Sequence, residues 1–477
     1  MKKIYLLLVL ALFVGCSKTD MVVPKDEPIK PGGAYILLSL KLDNTNDTLV
    51  ISNSYTPKVV AEYSNGMVVD FSDSVQITTL DNTVVLNNKK YYGVKSGIAK
   101  FEIKYKEYSF KDTINVTNVE YVPVPTELKS KNRGTLRIPV VIINYLPTKD
   151  GIELDRNRTQ DSVGQDMTGP FYTLDRAKTK TLKDKIIEKN AIEEGTKYHD
   201  YATNKTSQYI DIDVVAYINV YEMNYNYIGV SSNYKRPWWN LDYNELMSRI
   251  DLKKYVEELG VKEVWLTTFP REQGYLSYNV DESNMSSPIT GDISNSYRLQ
   301  NDLPIYNKTY VMYGDNGWRG VPEDLHNRGH QIESQLSHID GNLWWGKFAK
   351  TGRCGWTHMP INTLKHYDYA KDSVVSSDIL TWKPSGGTFV NLNKDSWVNK
   401  KYLFESQIAG GMVSNSAGLS GTVDYTNDAH VKWLIFWWQS IPGYNNNIVD
   451  GTTTVNNWWD LFYNWDDAMR NRKKLLN

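Results

Sequence analysis

The run Leu136-Arg-Ile-Pro-Val-Val-Ile-Ile-Asn-Tyr-Leu146 constrains this chain more than any other stretch, because its apolar residues hardly alternate with polar ones. A strand with one wet face alternates; an unbroken run needs cover on both faces, which helices supply to a mainly parallel sheet. The following segments fit that need. Leu174 to Glu194 is compatible with a helix, and Tyr209 to Tyr221 reads as a second strand. Leu241 to Leu259 is helical, stops at Gly260 and leads straight into the strand-like Val261 to Phe269. Helix, glycine stop and β-branched strand form the return half of a βαβ unit. Residues 135–477 are therefore expected to fold as one large α/β domain, with ligand loops at the carboxyl ends of its strands.

The chain has 477 residues, more than one hydrophobic core usually serves, so it is expected to be multidomain. Its start reads as a secretory signal, residues 1–15, with Lys2 and Lys3 ahead of the apolar run Ile4 to Val14. That run is short for a membrane span. It ends Leu12-Phe13-Val14-Gly15-Cys16, which resembles a bacterial lipobox, with Phe13 where leucine is usual. The resemblance implies a lipid on Cys16 and an anchor in the cell envelope, with the outer membrane as the expected site. Residues 16–33, polar and rich in Pro and Gly, read as a tether. Cys354 is then the remaining cysteine, so no disulfide framework is available, and a small buried hydrophobe is its expected role.

Residues 34–120 carry short strand-like segments divided by turn signals, the pattern of a β-sandwich. Ala61-Glu-Tyr-Ser-Asn-Gly-Met-Val-Val-Asp70, Gly93-Val-Lys-Ser-Gly-Ile-Ala99 and Thr113-Ile-Asn-Val116 resemble the bacterial group 2 immunoglobulin-like domain. That resemblance implies a spacer or adhesion module without catalysis. Tyr121-Val-Pro-Val-Pro-Thr-Glu127 opens an expected linker, 121–134, because alternating prolines stiffen a chain and discourage strand pairing.

Three of the seven histidines fall between residues 326 and 338. On a helix at about 100° per residue, His326, His330 and Glu333 share roughly a 60° arc beside an apolar stripe of Leu325, Ile332, Leu336 and Ile339. Two histidines four apart on a helix are the zinc-protease spacing, but Asn327 stands where that pattern has its glutamate. His330 and Glu333 alternatively give the His-x-x-Glu spacing of zinc carboxypeptidases, which needs a further ligand. His358, beside turn residues, is a candidate for it, as is His366 with Asp368 to hold its other nitrogen. One divalent metal such as zinc, on His326, His330, Glu333 and His358, is the metal-dependent reading. Without a metal, Glu282 and Glu333 form a catalytic carboxylate pair.

The loop-forming stretch Asp281 to Arg298 offers Asn284, Asp292 and Arg298 to a polar ligand. Among 15 tryptophans, Trp433 and Trp437 lie at helical spacing and read as core, while Trp458 and Trp459, in a turn-rich approach, are candidate exposed contacts. Together Asp281 to Arg298, Tyr306 to Gly314, His326 to Glu333 and Cys354 to Asn362 resemble blocks in a set of secreted bacterial proteins, which implies a shared domain and carries no reaction with it.

Net charge is −1 with mixed signs, which excludes the basic footprint of a nucleic-acid binder. Two functions remain in view. One is an envelope-anchored hydrolase of a polysaccharide, glycopeptide or peptide; the other is a non-catalytic surface glycan-binding protein on an immunoglobulin-like spacer.

Overall fold

The structure is a computed structural model. It describes residues 35–43, 48–88, 90–148, 151, 153–155, 173–199, 207–222, 242–269, 282–295, 303–317, 320–350, 353–361, 365–402, 411–414, 420–423, 428–443 and 448–477. Cys16, the signal, the tether and Arg298 lie outside these residues, and Glu282 is described by its backbone alone. The chain divides into two compact units near Val116/Thr117, with Val50–Asn53 belonging to the second.

The first unit is all β. Its strands are β1 (Leu37–Leu42), β2 (Thr48–Val50), β3 (Ser54–Tyr55), β4 (Val59–Tyr63), β5 (Val68–Asp70), β6 (Gln76–Thr79), β7 (Val84–Asn87), β8 (Lys90–Gly93), β9 (Gly97–Tyr105) and β10 (Tyr108–Thr117). They form three sheets, in the orders β1-β4-β5, β2-β10-β9-β6 and β3-β8-β7. Period-two patterning drives this unit: along β9 the residues Ala99, Phe101 and Ile103 turn inward and are fully buried.

The second unit is built on a six-stranded mixed sheet in the order β11-β13-β12-β14-β16-β15. These strands are β11 (Val119–Val122), β12 (Leu136–Pro147), β13 (Ile210–Glu222), β14 (Glu263–Thr268), β15 (Glu282–Ser286) and β16 (Tyr310–Asn316). The middle four run parallel, and β11 and β15 close the edges antiparallel. The unbroken apolar run is β12, and its alternate residues enter two different cores. Ile138, Val140 and Ile142 face a cluster with α1 (Leu174–Gly195), whereas Val141, Ile143 and Tyr145 face one with α2 (Tyr243–Arg249) and α3 (Leu252–Glu257). The expected single helix over 241–259 is thus two, because Asp251 adopts a left-handed conformation, φ 53°, between them.

Two further segments differ from the sequence reading. Tyr121 and Val122, expected to open a linker, instead end the edge strand β11. Pro123 and Pro125 come just after it, and an edge strand needs no donors on its outer side. Glu282 to Ser286, expected in a loop, is the opposite edge strand; its polar composition suits a strand paired on one side only.

After β16 the chain turns at Gly320, φ 80°, and enters α4 (Val321–Leu343), with Pro322 in its first turn. Pro is favoured there because the missing N–H would be unpaired anyway. Leu325, Ile332 and Leu336 enter the core as the periodicity requires, and Ile339 packs against it. The tryptophan-rich helices α5 (Ala429–Trp438) and α6 (Trp458–Tyr463) complete the same cluster. Trp458 and Trp459 are 0% and 2% exposed, so they are core rings and not the exposed contacts expected of them. A turn-rich approach says little about burial once the indole finds a partner, and Trp458 donates to the Leu475 carbonyl at 3.0 Å.

Candidate functional site

Helix α4 begins at the carboxyl end of β16, and its successive faces do different work. Asn327 donates to the Gly314 carbonyl at 3.1 Å, fastening the helix to β16. The ionised glutamate of the zinc-protease pattern could not donate that bond. Arg328 grips Glu263 of β14 at 2.5 and 2.9 Å and lies over the Tyr313 ring, 4.1 Å from its centroid. The third side carries His326 and His330.

Gly329 lets a distant loop approach this side. A Cβ there would stand 2.5 Å from Thr357 Oγ1. The loop turns tightly, with Trp356 and Met359 exchanging backbone bonds at 3.0 and 3.2 Å, so that Thr357 and His358 sit at its tip. Glu333 Oε1 accepts from the Thr357 N–H at 2.9 Å and pins that tip to the helix.

The result is convergence of three imidazoles from two segments. His330 Nε2 is 3.0 Å from His326 Nε2 and 2.8 Å from His358 Nε2. His330 Nδ1 lies 2.9 Å from Glu333 Oε2, so the carboxylate holds the proton on Nδ1 and leaves a lone pair on Nε2. Two further Nε2 atoms press against that one lone pair. Donor atoms 2.0–2.1 Å from a shared ion stand roughly 3.3 Å apart at tetrahedral angles, close to what is found here. His326, His330 and His358 therefore form a donor set fit for a metal ion.

Glu333 was expected among the ligands and as a catalytic carboxylate. Both its oxygens instead face protein N–H groups, which places it behind His330 as an orienting group. The sequence spacing could not tell which side of the imidazole the carboxylate takes. His366 is near, 5.2 Å from His358 between ring centroids, but outside the donor set.

One contributor was missed. His430, in the first turn of α5 behind the capping Asp428, brings Nε2 to 3.0 Å from His326 Nδ1 and stacks on Tyr369 at 4.0 Å. A lone histidine ahead of a tryptophan run gave no local signal; the contact spans 104 positions. Burial pushes His430 down to about 3, with His358 and His330 adding repulsion. Burial likewise pushes His358 down to about 4, with His330 next in weight and Glu333 opposing. Neutral imidazole is the form that binds metals.

The remaining candidates lie elsewhere. Asn284 is buried in β15, opposite Met312. Asp292 accepts from the Met285 N–H at 3.1 Å, folding the segment after β15 back on it, and burial raises its carboxyl. Another acidic group, Glu188, Asp315 and Asp324, has its cation supplied by the chain: Lys185 Nζ contacts all three, at 2.8 Å from Glu188 and 3.4 Å from Asp324, and bonds Asp315. Burial raises the Asp315 and Asp324 carboxyls. A separate cavity of about 410 Å³ is lined by Tyr198, His199, Leu380, Lys400 and Phe436 among others. Cys354 is fully buried and its thiol is pushed up by burial, as expected of a packing residue.

No family model matches the chain, and no curated protein matches it. Solved structures of the surface layer protein SbsC match short stretches at 19% identity and TM-score 0.14. Domains 4–9 align over 20% of this chain and 18% of theirs, domains 4 and 5 over 17% and 53%, and a longer SbsC fragment over 19% and 15%. At that TM-score the likeness carries no argument about fold or function.

Proposed function

We propose that the chain is a lipid-anchored protein of the bacterial envelope whose α/β unit is a metal-dependent hydrolase of a glycan, glycopeptide or peptide. One divalent ion, with zinc the best match to three imidazoles, is held by His326, His330 and His358. The observation that carries this reading is the meeting of three Nε2 atoms at 2.8–3.0 Å around a lone pair that Glu333 directs. Such an ion lowers the pKa of a bound water and polarises a carbonyl or glycosidic oxygen. The chain's residues do the rest: Glu333 sets the His330 tautomer, His430 supports His326, and half-buried His330 and His358 leave an approach from solvent. Trp356 lies 5.2 Å from His358 between centroids, and Trp345, 41% exposed, stands edge-on to it at 5.7 Å, a ledge on which a sugar or apolar side chain can rest. The N-terminal unit is proposed to be an immunoglobulin-like sandwich serving as spacer, and Cys16 the lipidated residue.

The non-catalytic glycan-binding reading keeps the Trp345 ledge but loses Trp458 and Trp459 to the core. Metal analysis of purified wild type and His330→Ala, followed by release of reducing ends or amines from polysaccharide and peptide panels, tests the proposal. Expected are about one ion per chain, its loss in the variant, and hydrolysis abolished by chelation. No stoichiometric metal in the wild type would remove the metal version.

A further inference from the structure

The motif His366-Tyr-Asp-Tyr369 was noted in the sequence for His366 and Asp368, yet Tyr367 is the residue the fold aims at the cluster. Its hydroxyl lies 3.2 Å from His358 Nε2, and its ring stacks over His326 at 5.6 Å between centroids. Its backbone N–H donates to the His358 carbonyl at 2.8 Å, so one tyrosine clasps His358 from both ends. Within that clasp Tyr367 has a left-handed backbone, φ 61°, which a non-glycine residue rarely adopts and which concentrates at functional sites. Tyr367 is also 57% exposed, so hydrophobic burial does not account for its position. Tyr369, two residues on, differs: it is buried, donates to the Thr357 carbonyl at 3.0 Å and stacks on His430.

We infer that the Tyr367 phenol oxygen is a fourth, displaceable protein donor to the ion held by His326, His330 and His358. The inference rests on the metal reading above. As the oxygen–metal bond forms, the phenol proton passes to solvent and the net charge of the site falls by one. The separation of 3.2 Å from His358 Nε2 is close to the roughly 3.3 Å expected between two donors on one tetrahedral ion. An exposed ring on a turn can leave without disturbing the core, and its departure opens the position that a substrate oxygen or an attacking water needs. Tyr367 thus caps the resting site, and a substrate competes with it for the ion.

Copper(II) provides the probe, because phenolate bound to it gives an intense visible charge-transfer band that imidazole alone does not. Full-length protein is titrated with copper(II), and Tyr367→Phe and Tyr369→Phe are compared. The inference predicts the band in wild type and in Tyr369→Phe, its absence in Tyr367→Phe at unchanged copper stoichiometry, and bleaching of the wild-type band by acetohydroxamate. Should Tyr367→Phe fail to fold, tyrosinate vibrations enhanced by excitation into the band of Tyr369→Phe still decide. Copper bound stoichiometrically without a band overturns the role of Tyr367 and leaves the metal reading standing. Failure to bind copper or zinc overturns both.

Discussion

Glu333 shows how one side chain serves two parts of the site. It keeps a proton on His330 Nδ1 and holds the Thr357 N–H, at 2.9 Å each. Outer-sphere partners of this kind typically contribute 10–100-fold in metal affinity. Glu333→Ala should weaken zinc binding about that much in a chelator competition, and an unchanged affinity would show that the carboxylate does not orient His330. Gly329 guards the other contact, where any side chain meets Thr357 Oγ1. Gly329→Val should cost about 1–3 kcal/mol in denaturant unfolding, the usual penalty of overpacking, and weaken the proposed metal site by displacing His358. A variant as stable as wild type, with full affinity, would contradict that packing. At this scale the sequence showed His326 and His330 on one helical face, since periodicity alone places them. It could not show His430 or Tyr367, whose positions depend on contacts made only after folding.

Among the elements, α4 was the most legible and also the most heavily constrained. Its apolar stripe was readable because helical spacing and burial agree. Its polar anchors were not, because Asn327, Arg328 and Gln331 bind partners on other elements, Gly314, Glu263 and the Ile293 carbonyl. The Arg328–Glu263 pair is buried on both sides. Removing one partner of such a pair typically costs about 3–5 kcal/mol, because a charge is left buried and uncompensated. Arg328→Met should therefore be severely destabilised in denaturant unfolding, while adding Glu263→Gln should restore part of the loss; two independent, additive losses would contradict the pairing. The edge strands β11 and β15 were misread for a shared reason. Pro after one and Asp, Asn and Ser within the other are loop formers by composition, and a strand paired on a single side tolerates them.

For the whole molecule, the division into a β unit and an α/β unit was legible, because strand periodicity and the βαβ pattern are each carried by long stretches. The polar interior was not. Lys400, beside the cavity of Tyr198 and His199, has its ammonium pushed down to about 8 by burial, with Glu194 opposing. Between pH 8 and about 10.5 the unfolded chain then holds this proton more tightly than the folded one, so unfolding free energy rises with pH across that window. The rise should be smaller in Lys400→Met; identical pH profiles would place Lys400 in an ordinary solvated setting. The central proposal is that one ion joins α4 to the Thr357–His358 loop. X-ray absorption at the zinc edge of the loaded protein tests it most directly. Three imidazole nitrogens at about 2.0–2.1 Å, falling to two in His358→Ala, is the predicted result. A spectrum without imidazole scattering, or one unchanged by His358→Ala, would contradict it.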